Sequence, residues 1–135
     1  MKARTMSAFL AENIEQVPHK EVVISTRIKD EDGNPIPWEL QPLSTSRVRK
    51  LRKKATKQIK GVVDIDIDEL NLAMVLESVV FPDLKDPALQ DSYGVMGEEQ
   101  LLDKILLPGE YDELVGQVSA LCGYNSQELV DEAKN

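Results

Sequence analysis

The sequence predicts an α+β fold, mainly helical, with an N-terminal β-hairpin packed on a compact helical C-terminal part. Three observations support this. Apolar residues alternate on both sides of an Asp-Gly-Asn-Pro turn near the N-terminus, which is the period of a strand. From Ser44 onward most apolar residues recur at helical spacing between Pro, Gly and Asp punctuation. Aromatics are only 4% of the 135 residues, so the core rests on Leu, Ile and Val. That length suits a single domain. We place a flexible arm at residues 1–18, the domain at 19–125 and a short C-terminal helix or tail at 126–135.

Taken in order, Ser7 caps a short helix to Ile14 with Phe9, Leu10 and Ile14 on one side, and Pro18 isolates it. Val22, Ile24, Thr26 and Ile28 alternate with Val23, Ser25 and Arg27 as a strand. Asp30 to Pro35 turns the chain, and Ile36, Trp38 and Leu40 form the returning strand. Pro37 and Pro42 place that strand at an edge, because proline gives no ladder donor. Ser44 or Thr45 caps a helix bearing Val48, Leu51, Ala55 and Ile59, which runs to about Gly61. Val63, Ile65 and Ile67 alternate with Asp64, Asp66 and Asp68, so this stretch is extended or a third short strand.

Asp68 caps the next helix, which carries Leu70, Ala73, Met74, Val75, Leu76, Val79 and Val80 to a stop at Pro82. Asp86-Pro87 starts a short helix that ends at Gly94. Glu98 to Leu106 turns Leu101, Leu102, Ile105 and Leu106 inward, and Pro108-Gly109 breaks it. Tyr111 to Cys122 buries Leu114, Val115, Val118 and Leu121, and Ser126 caps a last helix over Leu129 and Val130.

Charge divides the chain. Residues 1–60 hold thirteen basic and seven acidic groups, whereas residues 61–135 hold three basic and seventeen acidic. Eight cations fall between Arg47 and Lys60 with no acid among them. Such polarity favours electrostatic contact within the fold, between copies or with a partner.

Catalytic chemistry finds little material. One cysteine excludes an internal disulfide, and one histidine leaves too few ligands for a zinc site. Cys122 lies in an apolar helical pattern and reads as a small buried hydrophobe; His19 reads as a surface residue. Asp64-x-Asp66-x-Asp68 opens like a calcium loop, but the sixth and twelfth positions are Glu69 and Val75, not Gly and Glu. Gly94-Val95-Met96-Gly97 lacks the lysine and spacing of a phosphate loop. We expect no enzyme activity, metal or cofactor. The longest nearly apolar run, Leu72 to Phe81, is too short for a membrane span, and Glu12 ends any signal-like region early. A soluble, cytoplasmic protein is expected.

The block SVVFPDLKDPALQDSYGVMGEEQLLDKILLPGEYDELVGQVSALCGY resembles the XkdN-like tail assembly chaperones of Gram-positive phages and prophages. The likeness lies in the V-V-F-P-D-L run, in LQDSYGV from Leu89 to Val95 and in LLPGEY from Leu106 to Tyr111. The hairpin DEDGNPIPWEL, Asp30 to Leu40, carries it too. The resemblance implies a non-virion factor that escorts the long, aggregation-prone tape measure protein, with the tail tube protein as a further partner. Arg49, Lys50, Lys53 and Lys54, with Tyr93, Met96, Leu107 and Tyr111, are the expected contact residues. Many genes of this kind also yield a longer frameshifted form, and Ala133-Lys134-Asn135 is compatible with a slippery codon run. The competing reading is a small nucleic-acid-associated regulator gripping phosphates through the 47–60 helix, set against an acidic pI of about 4.7.

Overall fold

The computed structural model describes residues 4–124. The helix expected over Leu129 and Val130, the 126–135 tail and the Ala133–Asn135 ending lie outside the described residues. Two small antiparallel sheets and five α-helices form the α+β architecture that the sequence predicts. The main sheet has the order β1-β2-β5, from β1 (Lys20–Val22), β2 (Trp38–Leu40) and β5 (Val79–Phe81). Its helices are α1 (Thr45–Ala55), α2 (Ile67–Ser78), α3 (Pro87–Ser92), α4 (Glu98–Ile105) and α5 (Pro108–Leu121). Between α1 and α2 stands a separate two-stranded ribbon, β3 (Thr56–Ile59) and β4 (Val62–Ile65).

The N-terminal hairpin forms, but its strands are shorter than the alternation suggests. Lys20 faces Leu40 and Val22 faces Trp38, and only the isolated bridge Lys29–Pro35 continues toward the turn. Pairing stops because Ile24 and Ser25, adjacent in sequence, are both buried, which breaks the period of two. The Ser25 hydroxyl accepts the Arg27 N–H at 3.2 Å, giving this backbone a local partner in place of a ladder. At the turn, Asp30 Oδ1 accepts the N–H groups of Asp32 and Asn34, both at 2.9 Å.

The expected edge position of the second strand is corrected, since β2 is the middle strand. Its other neighbour is β5, paired through Glu39–Phe81 and Leu40–Val79 with an irregularity between them. Residues 79–81, expected as the end of a helix, thus supply the third strand of this sheet. The Val62–Asp68 segment does not join it. The junction is fixed by Ser78, which is fully buried and whose hydroxyl donates to the Gln41 carbonyl at 2.6 Å. Gln41 returns its own N–H to the Ser78 carbonyl at 2.8 Å.

The basic helix ends at Ala55, not near Gly61. Thr56, Ile59, Val62, Val63 and Ile65 are β-branched, and Lys60-Gly61 both take positive φ (53° and 80°). That pair is the two-residue turn whose twist matches a hairpin, so the ribbon wins over helix continuation. Arg47, Arg49, Lys50, Arg52, Lys53 and Lys54 therefore lie on α1, while Lys57 and Lys60 lie on the ribbon.

Three boundary expectations are also corrected. Asp66, not Asp68, caps α2, its side chain accepting the Glu69 N–H at 3.1 Å. Pro108 and Gly109 sit inside the first turn of α5 instead of before it, as suits a proline whose missing N–H has no helical partner. Near the N-terminus a single 3₁₀ turn over Met6–Phe9 is capped by Thr5, replacing the Ser7-capped helix. Every residue from 4 to 20 is exposed.

The core lies between the main sheet and the helices. Trp38 and Leu40 enter from β2, Val48, Leu51 and Ala55 from α1, and Leu70, Met74 and Val75 from α2. Leu101, Leu102, Ile105 and Leu106 close it from α4 and its end, with Leu114 and Val118 from α5. No helix among the described residues is long and apolar enough to cross a membrane.

Candidate functional site

The β2–β5 pairing opens an apolar cleft of about 150 Å³ at the surface. Pairing of Glu39 with Phe81 carries Trp38 and the Phe81–Pro82 step to one wall. Ile28, Ile36 and Pro37 of the hairpin and Ile105 of α4 also line the cleft. Further lining comes from Leu89 and Tyr93, four residues apart and so on one helical face. Asp86 orients that helix, its carboxylate accepting the N–H groups of Ala88 (2.8 Å) and Leu89 (3.3 Å). Gly94 ends it at φ 67°.

One ion pair braces the rim. Arg27 Nη2 donates to Glu110 Oε1 at 2.5 Å and to the Ile105 carbonyl at 2.8 Å. Glu110 also accepts the Leu107 N–H at 2.8 Å, which satisfies the open start of α5. Hydrogen bonding from Arg27, then from Leu107 and Ser25, holds the Glu110 carboxyl down at about 2. Arg27 is correspondingly raised, chiefly by its bond to Glu110.

A second feature is the outer face of α1. Arg47 is engaged with Glu77 of α2, its Nε donating to Oε2 at 2.7 Å, and Lys57 meets Glu69 at 3.0 Å. The Glu77 carboxyl is lowered, first by the Arg47 hydrogen bond and then against the cost of its own burial. Arg49, Lys50, Lys53 and Lys54 are exposed and enter no ion pair among the described residues. This face carries exposed cationic charge, with one aromatic beside it: Tyr124, whose hydroxyl accepts from Arg52 Nη2 at 3.4 Å.

The remaining contact residues scatter. Tyr93 lies in the cleft wall. Met96, 91% exposed, lies instead in a shallow acidic hollow of about 490 Å³ with Leu76, Glu98, Glu99 and Asp103. Leu107 is exposed at the α4–α5 junction, next to the Arg27–Glu110 pair. Tyr111 is half-buried; desolvation first, then Asp68, Asp103, Asp112 and Glu99, raise its hydroxyl pKa. The structure thus places Tyr93 in the cleft lining and Leu107 beside the Arg27–Glu110 pair, and leaves the α1 cations outside the cleft lining. Sequence reasoning missed Ile28, Ile36, Trp38, Phe81 and Leu89 as cleft residues. The cleft coincides with the P-I-P-W, F-P-D-L and L-Q-D-S-Y segments, so their shared motif character was the available signal.

Among the described residues no group of three or more His, Cys, Asp or Glu is placed to hold a metal. The Cys122 thiol is free and half-buried, and His19 Nδ1 is 2.7 Å from Glu39 Oε2 at the surface.

Comparison with known proteins agrees in extent. The chain is 29% identical over 138 residues to the phage-like element PBSX protein XkdN of Bacillus subtilis strain 168, covering 96% of this chain and 93% of that protein. It is 26% identical to the uncharacterized protein YqbN of the same organism, over 99% of this chain and 95% of that one. The crystal structure of the protein YqbN shares the fold, with a TM-score of 0.77 at 23% identity, over 92% of this chain and 100% of that chain. The family model of the phage XkdN-like tail assembly chaperone proteins matches residues 6–134. With nearly its whole length matched, this chain belongs to the phage XkdN-like tail assembly chaperone family.

Proposed function

We propose that this protein is a non-catalytic chaperone that holds the tape measure protein in the host cytoplasm and yields it to tail tube subunits, without entering the virion. The observation that carries the reading is the family match across residues 6–134. The surface chemistry supports it. A long helical client with apolar and acidic side chains would place the former in the cleft beside Tyr93. The exposed cations Arg49, Lys50, Lys53 and Lys54 would meet the latter. Both are shallow, so contacts are weak singly and additive along a repeating client, which permits release by fast dissociation.

The nucleic-acid reading has less support. The cationic segment is split between α1 and the ribbon, and Arg47 and Lys57 are already engaged by Glu77 and Glu69.

Co-expression with tagged tape measure segments tests the proposal. Wild type is captured. Reversal of Arg49, Lys50, Lys53 and Lys54 to Glu, or Tyr93→Asp, reduces capture about tenfold, corresponding to about 1.4 kcal/mol. Circular dichroism of each variant verifies that the fold is kept. Equal capture of wild type and variants overturns the assigned surface. Failure of wild type to bind, with salt-sensitive retention of DNA or RNA on a filter, favours the nucleic-acid reading.

A further inference from the structure

The β3–β4 ribbon is the one sheet of the described fold that buries no residue, with only Ile65 at its base packed against the core. All residues from 56 to 64 are exposed, including Ile59 at 67% and Val62 and Val63 at 66%. Ile59 faces Val62 across the turn, giving an aliphatic pair at the tip beside Lys60. An isolated two-stranded ribbon is marginal in water, and exposed aliphatic strands mark association surfaces.

The matching surface lies on the same molecule at the other end of α2. The ribbon runs into α2 at Ile67, while Leu76, about 13 Å along that helix, lines the acidic hollow. There Leu76 and Met96 offer apolar surface, and Glu98, Glu99 and Asp103 offer negative charge. The ribbon tip has aliphatic side chains and a lysine; the hollow has apolar side chains and carboxylates. Because the two surfaces sit toward opposite ends of one helix, a chain presents both to different neighbours.

We propose that the ribbon tip of one copy docks into the α4 hollow of a second copy, in a head-to-tail contact. Such a contact is heterologous, so assembly continues beyond two copies until it closes or is capped. The inference deepens the chaperone reading by supplying the multivalency that weak client contacts require, and it rests on that reading only for this purpose.

Sedimentation velocity at rising protein concentration tests it, at low and high salt. Wild type gives species larger than two chains that dissociate as salt rises. Two variants remove one surface each while leaving the core untouched: Ile59→Ser with Val62→Ser, and Met96→Ser with Asp103→Lys. Each alone is monomeric, with association weakened at least about tenfold. Mixed in equal amounts they form a capped heterodimer of twice the 15.1 kDa chain mass, because one intact ribbon meets one intact hollow. Wild type that stays monomeric throughout, or a mixture that stays monomeric, overturns the inference. Monomeric wild type that still captures tape measure segments overturns this inference alone and leaves the chaperone reading standing.

Discussion

Arg27 and Glu110 are 83 residues apart and meet through two hydrogen bonds, Nη2 to Oε1 at 2.5 Å and Nε to Oε2 at 3.3 Å. The same guanidinium holds the Ile105 carbonyl, and the same carboxylate holds the Leu107 N–H. A single pair thus ties the segment after β1 to the break between α4 and α5 and fixes one side of the apolar cleft.

Acid should undo this tie only at low pH, because its carboxylate is held well below the usual range. The folded carboxyl of Glu110 sits at about 2, against about 4.3 for an unperturbed Glu. A depressed folded pKa contributes stability that is complete above the unfolded value and is lost as pH falls toward the folded one. Urea midpoints of wild type and Glu110→Gln should therefore differ at pH 7 and converge between roughly pH 4.3 and 2. A difference that is constant across that window would show that the ion pair is not its source.

Ser78 makes a stronger claim on stability, because it is wholly inside. Ser78→Ala removes the donor to the Gln41 carbonyl and leaves that acceptor one partner short. The expected loss is about 1–3 kcal/mol in a denaturant titration, with an unchanged m-value.

Cap chemistry at α3 is local and should read out locally. Asp86→Ala frees the Ala88 and Leu89 amides, costing about 1 kcal/mol. Hydrogen exchange should speed up at those amides while α2 and α5 stay protected. Uniform loss of protection would instead mean that α3 unfolds with the whole domain.

Burial separates two neighbouring residues that look alike in a hydropathy profile. Leu101 is fully buried, and Leu101→Ala should cost about 2–5 kcal/mol through cavity formation. Met96→Ala, at 91% exposed, should fall within about 0.5 kcal/mol of wild type. Thermal unfolding of the two variants side by side checks the contrast.

Much of the fold was legible because its signals are local. Asp86-Pro87 starts a helix and Gly94 stops one whatever surrounds them, and both stand where expected. The charged turn at Asp30 carries its own hydrogen bonds. The inward row Leu101, Leu102, Ile105 and Leu106 follows from helical period alone. The ribbon carries a hairpin signal, Lys60-Gly61 between β-branched runs, but the cationic stretch before it has helical spacing that competes with it. For the site, exposed cations on α1 followed from sequence, but the cleft did not. Ile28, Phe81 and Tyr93 are distant along the chain and no spacing rule relates them.

By itself, the sequence determined the caps and turns at Asp30, Asp86 and Gly94, where charge of each sign collects, and the family the chain resembles. Tertiary structure alone decided that Val79–Phe81 is a strand, that β2 lies in the middle of the sheet, and that three separated motifs share one cleft. The reason is physical. Caps and turns are settled by hydrogen bonds within a few residues, whereas a short valine-rich stretch suits helix and strand alike. Only the unpaired backbone of β2, arriving from forty residues away in the chain, breaks that tie.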